Sequence, residues 1–335
     1  MPARFSRRFA VSRASVSGGL VVLALALATA PAAWSLRADA AVLYDPTLGG
    51  GSQTLADQGW LFPSGTGAAV TATPSGTLLD TMANRSIQAG YSTHNPIFKT
   101  PVHPSAPVLD RSAGFVLSFD LALAVEDHDP NKDDNGDGKH DRAGFSVLVV
   151  TSDLRAIELG FFASDFPNNP NGIWAQADAP LFTQAEGADV TLAPVGTMVR
   201  YHLTILGNQY SLRAETTPGS TLTGSLRDYT AWPGIPVPPF GTFDPYDTAN
   251  LIFFGDDTTS AGAVATIGRI EITPVPEPGS LALLGAASAF LVLFALWRRA
   301  ASRARWQPAP CPACSPPRNS SSRRRAPRAA ADVRR

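Results

Sequence analysis

Seven acidic side chains crowd into sixteen residues, Glu126–Asp141 (EDHDPNKDDNGDGKHD). Close carboxylates repel one another, and a bound cation removes that cost. The spacing suits such an ion. Asp133, Asn135 and Asp137 alternate, Gly138 follows, and Asp141 closes the set. In a tight loop, side chains at positions 1, 3 and 5 point inward, a glycine at position 6 permits the reversal, and position 7 offers its carbonyl. Lys139 holds position 7 and Asp141 position 9. An oxygen-rich set favours Ca²⁺ over a transition metal, although His128 and His140 stand nearby. A second frame overlaps the first: Asp129, Asn131, Asp133 and Asp137 repeat the 1-3-5-9 spacing, with Asp134 in place of the glycine. The spacing predicts one Ca²⁺ and leaves open a second that shares Asp133 and Asp137. Affinity is expected on the order of 10⁻⁴–10⁻³ M, as in extracellular modules.

An EF-hand would carry a bidentate Glu at position 12, where this chain has Gly144. The run more closely resembles the nine-residue calcium loops between strands of integrin-type propellers, or those of thrombospondin-type repeats. That resemblance implies a further ligand from elsewhere in the chain.

Two other segments have the chemistry of sugar binding, in which an exposed ring stacks beside hydrogen-bonding groups. One runs from Phe166 to Trp174 and contains Asn169 and Asn171. The other, Trp232–Tyr246, has five prolines beside Phe240, Phe243 and Tyr246, and stiff loops lose little entropy on binding. Candidate ligand residues are therefore Trp174, Asn169, Asn171, Trp232, Phe240 and Tyr246. Trp60 reads as a ring capping the core.

Catalytic patterns are missing from the sequence. The five histidines (94, 103, 128, 140, 202) form no H-E-x-x-H, and no G-x-S-x-G occurs. A jelly-roll glycosidase needs two carboxylates on a groove, as in a Glu-x-Asp-x-x-Glu string. Asp120 and Glu158 are instead single acids on predicted strands, expected to be paired or at the surface. The expectation is a protein that is not an enzyme.

The elements that must hold these segments are β-strands. Residues 41–273 contain no cysteine, so stability must come from a packed core or bound ions. No stretch keeps a helical period. Short β-rich runs are separated by turn residues: Phe115–Val125, Phe145–Val150, Ala156–Phe162, Gly172–Ala175, Met198–Leu206, Gln209–Ala214, Leu222–Leu226, Leu251–Phe254 and Ala263–Ile272. Gly207-Asn208 is a two-residue hairpin signal. Before Val108 the strand pattern is weaker, and Gly, Ser and Thr dominate. This predicts an all-β antiparallel sandwich. Tyr201–Leu206 with Gln209–Leu212, and Leu251–Asp256 with Ala265–Ile272, resemble the central hairpin and closing strands of the concanavalin A-like lectin/laminin G jelly roll. The resemblance spans 41–273 in outline and implies an antiparallel jelly-roll β-sandwich.

Charge sets the boundaries. The net charge of −1 over 335 residues hides three blocks. Residues 1–40 carry five Arg and Asp39; residues 41–276 carry 11 Lys and Arg against 25 Asp and Glu; residues 277–335 carry 11 Arg against Glu277 and Asp332. An acidic middle argues against nucleic acid as a partner. At the N-terminus a basic stretch, the apolar run Gly18–Ala30 and Ala38-Asp39-Ala40 predict a signal peptide over 1–40. At the other end, Pro276-Glu277-Pro278 precedes the apolar run 281–297 and Arg298-Arg299. Seventeen residues make roughly 25 Å of helix, slightly short of the hydrocarbon core. The arginines after it predict a cytoplasmic tail. Pro-Glu-Pro, short transmembrane helix and basic cluster resemble the PEP-CTERM sorting signal, here over 274–299. The resemblance implies an exosortase-type membrane protease as partner, membrane anchoring before processing, and transfer to the cell surface or release. The basic tail 300–335 has the composition of a disordered segment, and its lone Cys311-x-x-Cys314 lacks a second ligand pair. The expected protein is an exported, surface-sorted sandwich that binds an extracellular polysaccharide or matrix component with Ca²⁺ bracing one loop. The alternative is a structural surface or biofilm protein without a small ligand, and a glycan hydrolase is the remotest reading.

Overall fold

The computed structural model describes residues 40–275 except 66, 130, 133–135, 137–139, 164–171, 189–194 and 218, together with 288, 290–296 and 298. Among the described residues eighteen strands occur in chain order. Six short ones come first: β1 (Ala41–Tyr44), β2 (Ala69–Thr73), β3 (Gly76–Asp80), β4 (Ala89–Ser92), β5 (His94–Asn95) and β6 (Thr100–Pro101). Then follow β7 (Phe115–His128), β8 (Ser146–Val150), β9 (Ala156–Phe162), β10 (Gly172–Asp178), β11 (Leu181–Ala188), β12 (Val199–Leu206), β13 (Gln209–Ala214) and β14 (Thr221–Ser225). β15 (Ile235–Val237), β16 (Gly241–Phe243), β17 (Ile252–Asp256) and β18 (Ala261–Pro274) complete the set.

The fold is an antiparallel jelly-roll β-sandwich. The eight-stranded sheet has the order β14-β13-β12-β7-β18-β3-β2, with β1 also paired to β18. The six-stranded sheet has the order β11-β10-β9-β8-β17-β4. The chain crosses from β7 to the six-stranded sheet, returns for β12 to β14, crosses again for β17 and returns for β18. Two small hairpins, β5-β6 and β15-β16, stand apart from the main sheets.

Alternation builds the core. Leu117, Phe119, Leu121 and Leu123 of β7 face inward against Val147, Val149, Ile157, Leu159 and Phe161 of the other sheet. β18 keeps both Ile267 and Ile270 inward because its register shifts between them. Phe119 stacks on Tyr201 at 5.4 Å and meets Phe254 edge-on at 5.2 Å. Trp60 is buried; its Nε1–H donates to the Leu43 carbonyl at 2.9 Å, so it closes the core as its sequence context suggests. Gly207 lies at φ +60, the left-handed conformation a two-residue hairpin demands, and Leu206 pairs with Gln209 across it.

The six-stranded sheet is buried on both faces. Leu148, Val150 and Phe253 point away from the main core into a second cluster with Tyr229, Tyr246 and Leu251. Trp232, Phe182, Leu154 and Leu181 pack around it. The segment after β14 therefore lies across the outer face of this sheet.

Candidate functional site on the six-stranded sheet

The acidic loop is rooted in one buried carboxylate. Glu126, near the end of β7, accepts the N–H of Gly144 at 2.5 Å and of Ala163 at 2.7 Å. Its Oε2 lies 3.1 Å from His128 Nε2. Gly144 follows the acidic loop, and Ala163 opens the β9–β10 connection, whose Asn169 and Asn171 lie outside the described residues. One side chain thus ties both connections to the same end of the sandwich. The His128 ring stacks on His140 at 4.2 Å and on Phe162 at 5.8 Å. The Asp129 N–H donates to the Ser260 carbonyl at 2.7 Å, and Arg85 grips Asp127 through two bonds of 2.7 and 2.8 Å.

Of the predicted calcium ligands, Asp129 and Asn131 stand at the loop's entry and Asp141 at its exit. Asp129 accepts the backbone N–H and side-chain amide of Asn131, and the first of these bonds holds its carboxyl below the usual range. Asp141 is buried. Asp133, Asn135, Asp137 and Lys139 lie outside the described residues. Among the described residues, no group of three or more His, Cys, Asp or Glu is placed to hold a metal ion.

Immediately after Asp141, Arg142 reaches over the outer face of the six-stranded sheet. Its Nη2 lies 3.0 Å from Glu158 Oε1 and 2.8 Å from Asp257 Oδ1. Its guanidinium sits 4.4 Å above the Phe182 ring. The Tyr246 hydroxyl donates to Glu158 Oε2 at 2.5 Å. Burial pushes the Glu158 carboxyl up to about 8 against the pull of Arg142, and neighbouring Asp257 adds to the rise. Burial likewise lifts Asp256 to about 9. Glu158 and Asp120 are thus both paired acids, the latter with Arg200 at 2.9 Å.

Beside this cluster the sheet presents polar groups without partners. Gln176 is fully buried, and among the described residues neither its Nε2 nor its Oε1 has a hydrogen-bond partner. The same holds for Ser146 Oγ, Gln184 Oε1 and Arg142 Nε. Strand register gathers them: Gln176 faces Gln184, and Ser146 faces Gly160. Trp174 lies between, opposite Gly187 on one side and Gly160 on the other. Its indole covers Gly187 so closely that an added Cβ would lie 2.3 Å from the ring. Trp174 is half-buried.

The second predicted aromatic segment sits further along the same face. Trp232 is half-buried and meets Tyr246 edge-on at 5.3 Å. Tyr246 is only 4% exposed and acts as a cover over Glu158. Phe240, at the turn of the β15–β16 hairpin, is 61% exposed. Gln176, Gln184, Arg142 and Ser146 were not legible as site residues. Gln176 and Gln184 do sit on strands that otherwise turn apolar residues inward, which is the one local signal they carry.

Residues 274–300 match the PEP-CTERM protein-sorting motif. They are a sorting signal. Pro276, Glu277, Pro278 and Arg299 of that PEP-CTERM segment lie outside the described residues; residues 290–296 are helical, and the guanidinium of Arg298 lies 5.4 Å from the Phe294 ring centre. Among the described residues no helix is long and apolar enough to cross a membrane. No curated protein matches the chain. Solved structures with a similar fold include the exoplasmic/lumenal domain of VIP36 in its Ca²⁺/Man3GlcNAc-bound form, at 10% identity and TM-score 0.36, covering 70% of this chain and 88% of that one. Domain 4 of AbnA, a GH43 extracellular arabinanase from Geobacillus stearothermophilus solved with arabinotriose, shares 11% identity at TM-score 0.36 over 73% and 98%. A protein of galectin-like fold from Bacillus subtilis shares 10% identity at TM-score 0.38 over 70% and 96%.

Proposed function

We propose that this PEP-CTERM chain is exported, held in the membrane by residues 281–297, and handed by an exosortase-type protease to the cell surface. There its sandwich binds an extracellular polysaccharide or matrix glycan. The observation that carries this reading is half-buried Trp174 beside the unpartnered amide of Gln176 and the unpartnered Oε1 of Gln184, whose Nε2 donates to the His140 carbonyl at 2.8 Å. A sugar ring needs an aromatic face and fixed hydrogen-bonding groups at its edge, and buried polar groups without partners are uncommon in folded proteins. Trp232 extends the apolar surface along the same face, and Phe240 is an exposed ring on the neighbouring β15–β16 hairpin. Ca²⁺ braces the acidic loop through Asp133, Asn135, Asp137, the Lys139 carbonyl and Asp141, with Asp129 and Asn131 at its entry.

Glycan-array binding of the full chain, with and without chelator, tests the reading. The expected result is binding that falls at least tenfold in Trp174→Ala; an array without a single hit overturns it. A purely structural role is the second reading, favoured by the way Trp232 and Tyr246 seal the far half of this face. Hydrolysis is not supported, because Glu158 is sealed beneath Tyr246 instead of opening on a groove.

A further inference from the structure

We propose that the opposite side of the molecule, the outer face of the eight-stranded sheet, binds an acidic glycan of the uronate type at Arg213. This site is separate from the Trp174 face and does not depend on it. Eight arginines lie between residues 41 and 275. Seven of them pair with a carboxylate: Arg85, Arg111, Arg142, Arg155, Arg200, Arg227 and Arg269. Arg213 pairs with none among the described residues, although the middle of the chain is acidic.

The carboxylates on its own face have other partners, Glu215 at the groove's own His202. Arg200 holds Asp120 and Glu271, Arg269 holds Glu271 and Asp45, and Glu215 lies 2.9 Å from His202 Nε2. Arg213 borders a groove of about 350 Å³ lined by Val116, His202, Thr204, Ser211 and Thr221. Register sets these groups in a grid: Arg213 faces His202 and Thr221, while Ser211 faces Thr204, which faces Val116. Hydroxyls therefore repeat across the strands at about 4.8 Å. Val116 supplies a small apolar floor for the C–H face of a sugar.

A guanidinium takes a carboxylate through two parallel hydrogen bonds, and the hydroxyls suit the remaining oxygens of a sugar acid. An extended acidic peptide fits less well. Such peptides add to a free strand edge, whereas β7, β12 and β13, which carry every groove residue except Thr221, are paired on both sides and β14 alone of these strands lies at the sheet's edge. Among the described residues no Trp, Tyr or Phe lines the groove, so binding here rests on charge and hydrogen bonding rather than stacking.

The test is calorimetric titration of the full chain in detergent micelles with an oligomer of galacturonic acid, its methyl ester, and a poly-glutamate peptide. The acid oligomer is expected to bind at least tenfold more tightly than either alternative. Arg213→Ala should weaken it at least tenfold and Arg213→Lys less, while Trp174→Ala leaves it unchanged. Arg213 is exposed and makes no ion pair, so R213A should melt with the parent, which separates lost binding from lost folding. Equal binding of the ester, equal binding of poly-glutamate, or unchanged binding by R213A would each overturn the proposal.

Discussion

The N–H of Ala163 donates at 2.7 Å to Glu126, a residue 37 positions earlier in the chain. The same carboxylate takes the N–H of Gly144. Two long connections therefore share an anchor that is buried to 2% exposure. Glu126→Gln tests it. An amide presents one oxygen and one NH₂ where the two N–H groups need two acceptors, so at least one buried donor is left unmet. The cost is about 1–3 kcal/mol, which lowers Tm by roughly 2–12 °C for a domain of this size. A thermal scan showing no change would remove Glu126 as the anchor.

Calcium should act on the connection held by this anchor. At millimolar concentration, about one to ten times the expected Kd, an ion that binds the folded state alone adds about 0.4–1.4 kcal/mol. Millimolar Ca²⁺ should therefore raise Tm, and Asp137→Ala should abolish the rise. Mg²⁺, which is smaller and holds its water more firmly, should do less. Identical melting curves in Ca²⁺ and chelator would dismiss the ion.

How far the sequence reached depends on whether the causes were local. Strands from Phe115 onward were readable because one face of each is apolar. β3 (GTLLD) is hard to read because its partner β18 lies about two hundred residues away and supplies burial that its composition does not advertise, and β2 (AVTAT) is an edge strand paired to β3 alone. β11 (LFTQAEGA) is hard to read because its register shifts twice against β10 and scrambles the alternation. Trp174 was legible as an aromatic beside polar residues. Its neighbours Gln176 and Gln184 were not, because the missing partners of the Gln176 amide and of Gln184 Oε1 emerge only once the strands are aligned. Tyr246 looked like an exposed ring in a proline-rich loop, yet its hydroxyl reaches a glutamate 88 residues away.

That glutamate gives stability a pH signature. Glu158 is raised by burial from 4.5 to about 8. Above pH 4.5 the unfolded chain loses this proton while the folded one keeps it, so the folded state binds more protons. Its contribution is complete below pH 4.5 and is lost progressively up to about pH 8, at about 1.4 kcal/mol per pH unit per proton. Asp256, raised from 3.8 to about 9, acts in the same direction. Asp153, lowered to about 2 chiefly by its bonds to Arg111, acts oppositely, and only below pH 4. Glu158→Gln should therefore flatten the fall in denaturant midpoint between pH 5 and 8. An unchanged slope would show that Glu158 is ionised throughout.

Gly187 offers the sharpest test of how Trp174 is held. Its backbone is not in the left-handed region, so alanine meets no conformational penalty there. The obstacle is the indole, 2.3 Å from where the methyl carbon would stand. Gly187→Ala should therefore push the ring off the sheet, shift the tryptophan emission, and weaken glycan binding about as much as Trp174→Ala does. With the indole already gone the methyl has nothing to displace, so Gly187→Ala added to Trp174→Ala should cost almost nothing further. The four proteins form a double-mutant cycle. A large coupling between the two sites would show that Gly187 matters by seating the tryptophan, whereas additive losses would place its effect in strand pairing instead.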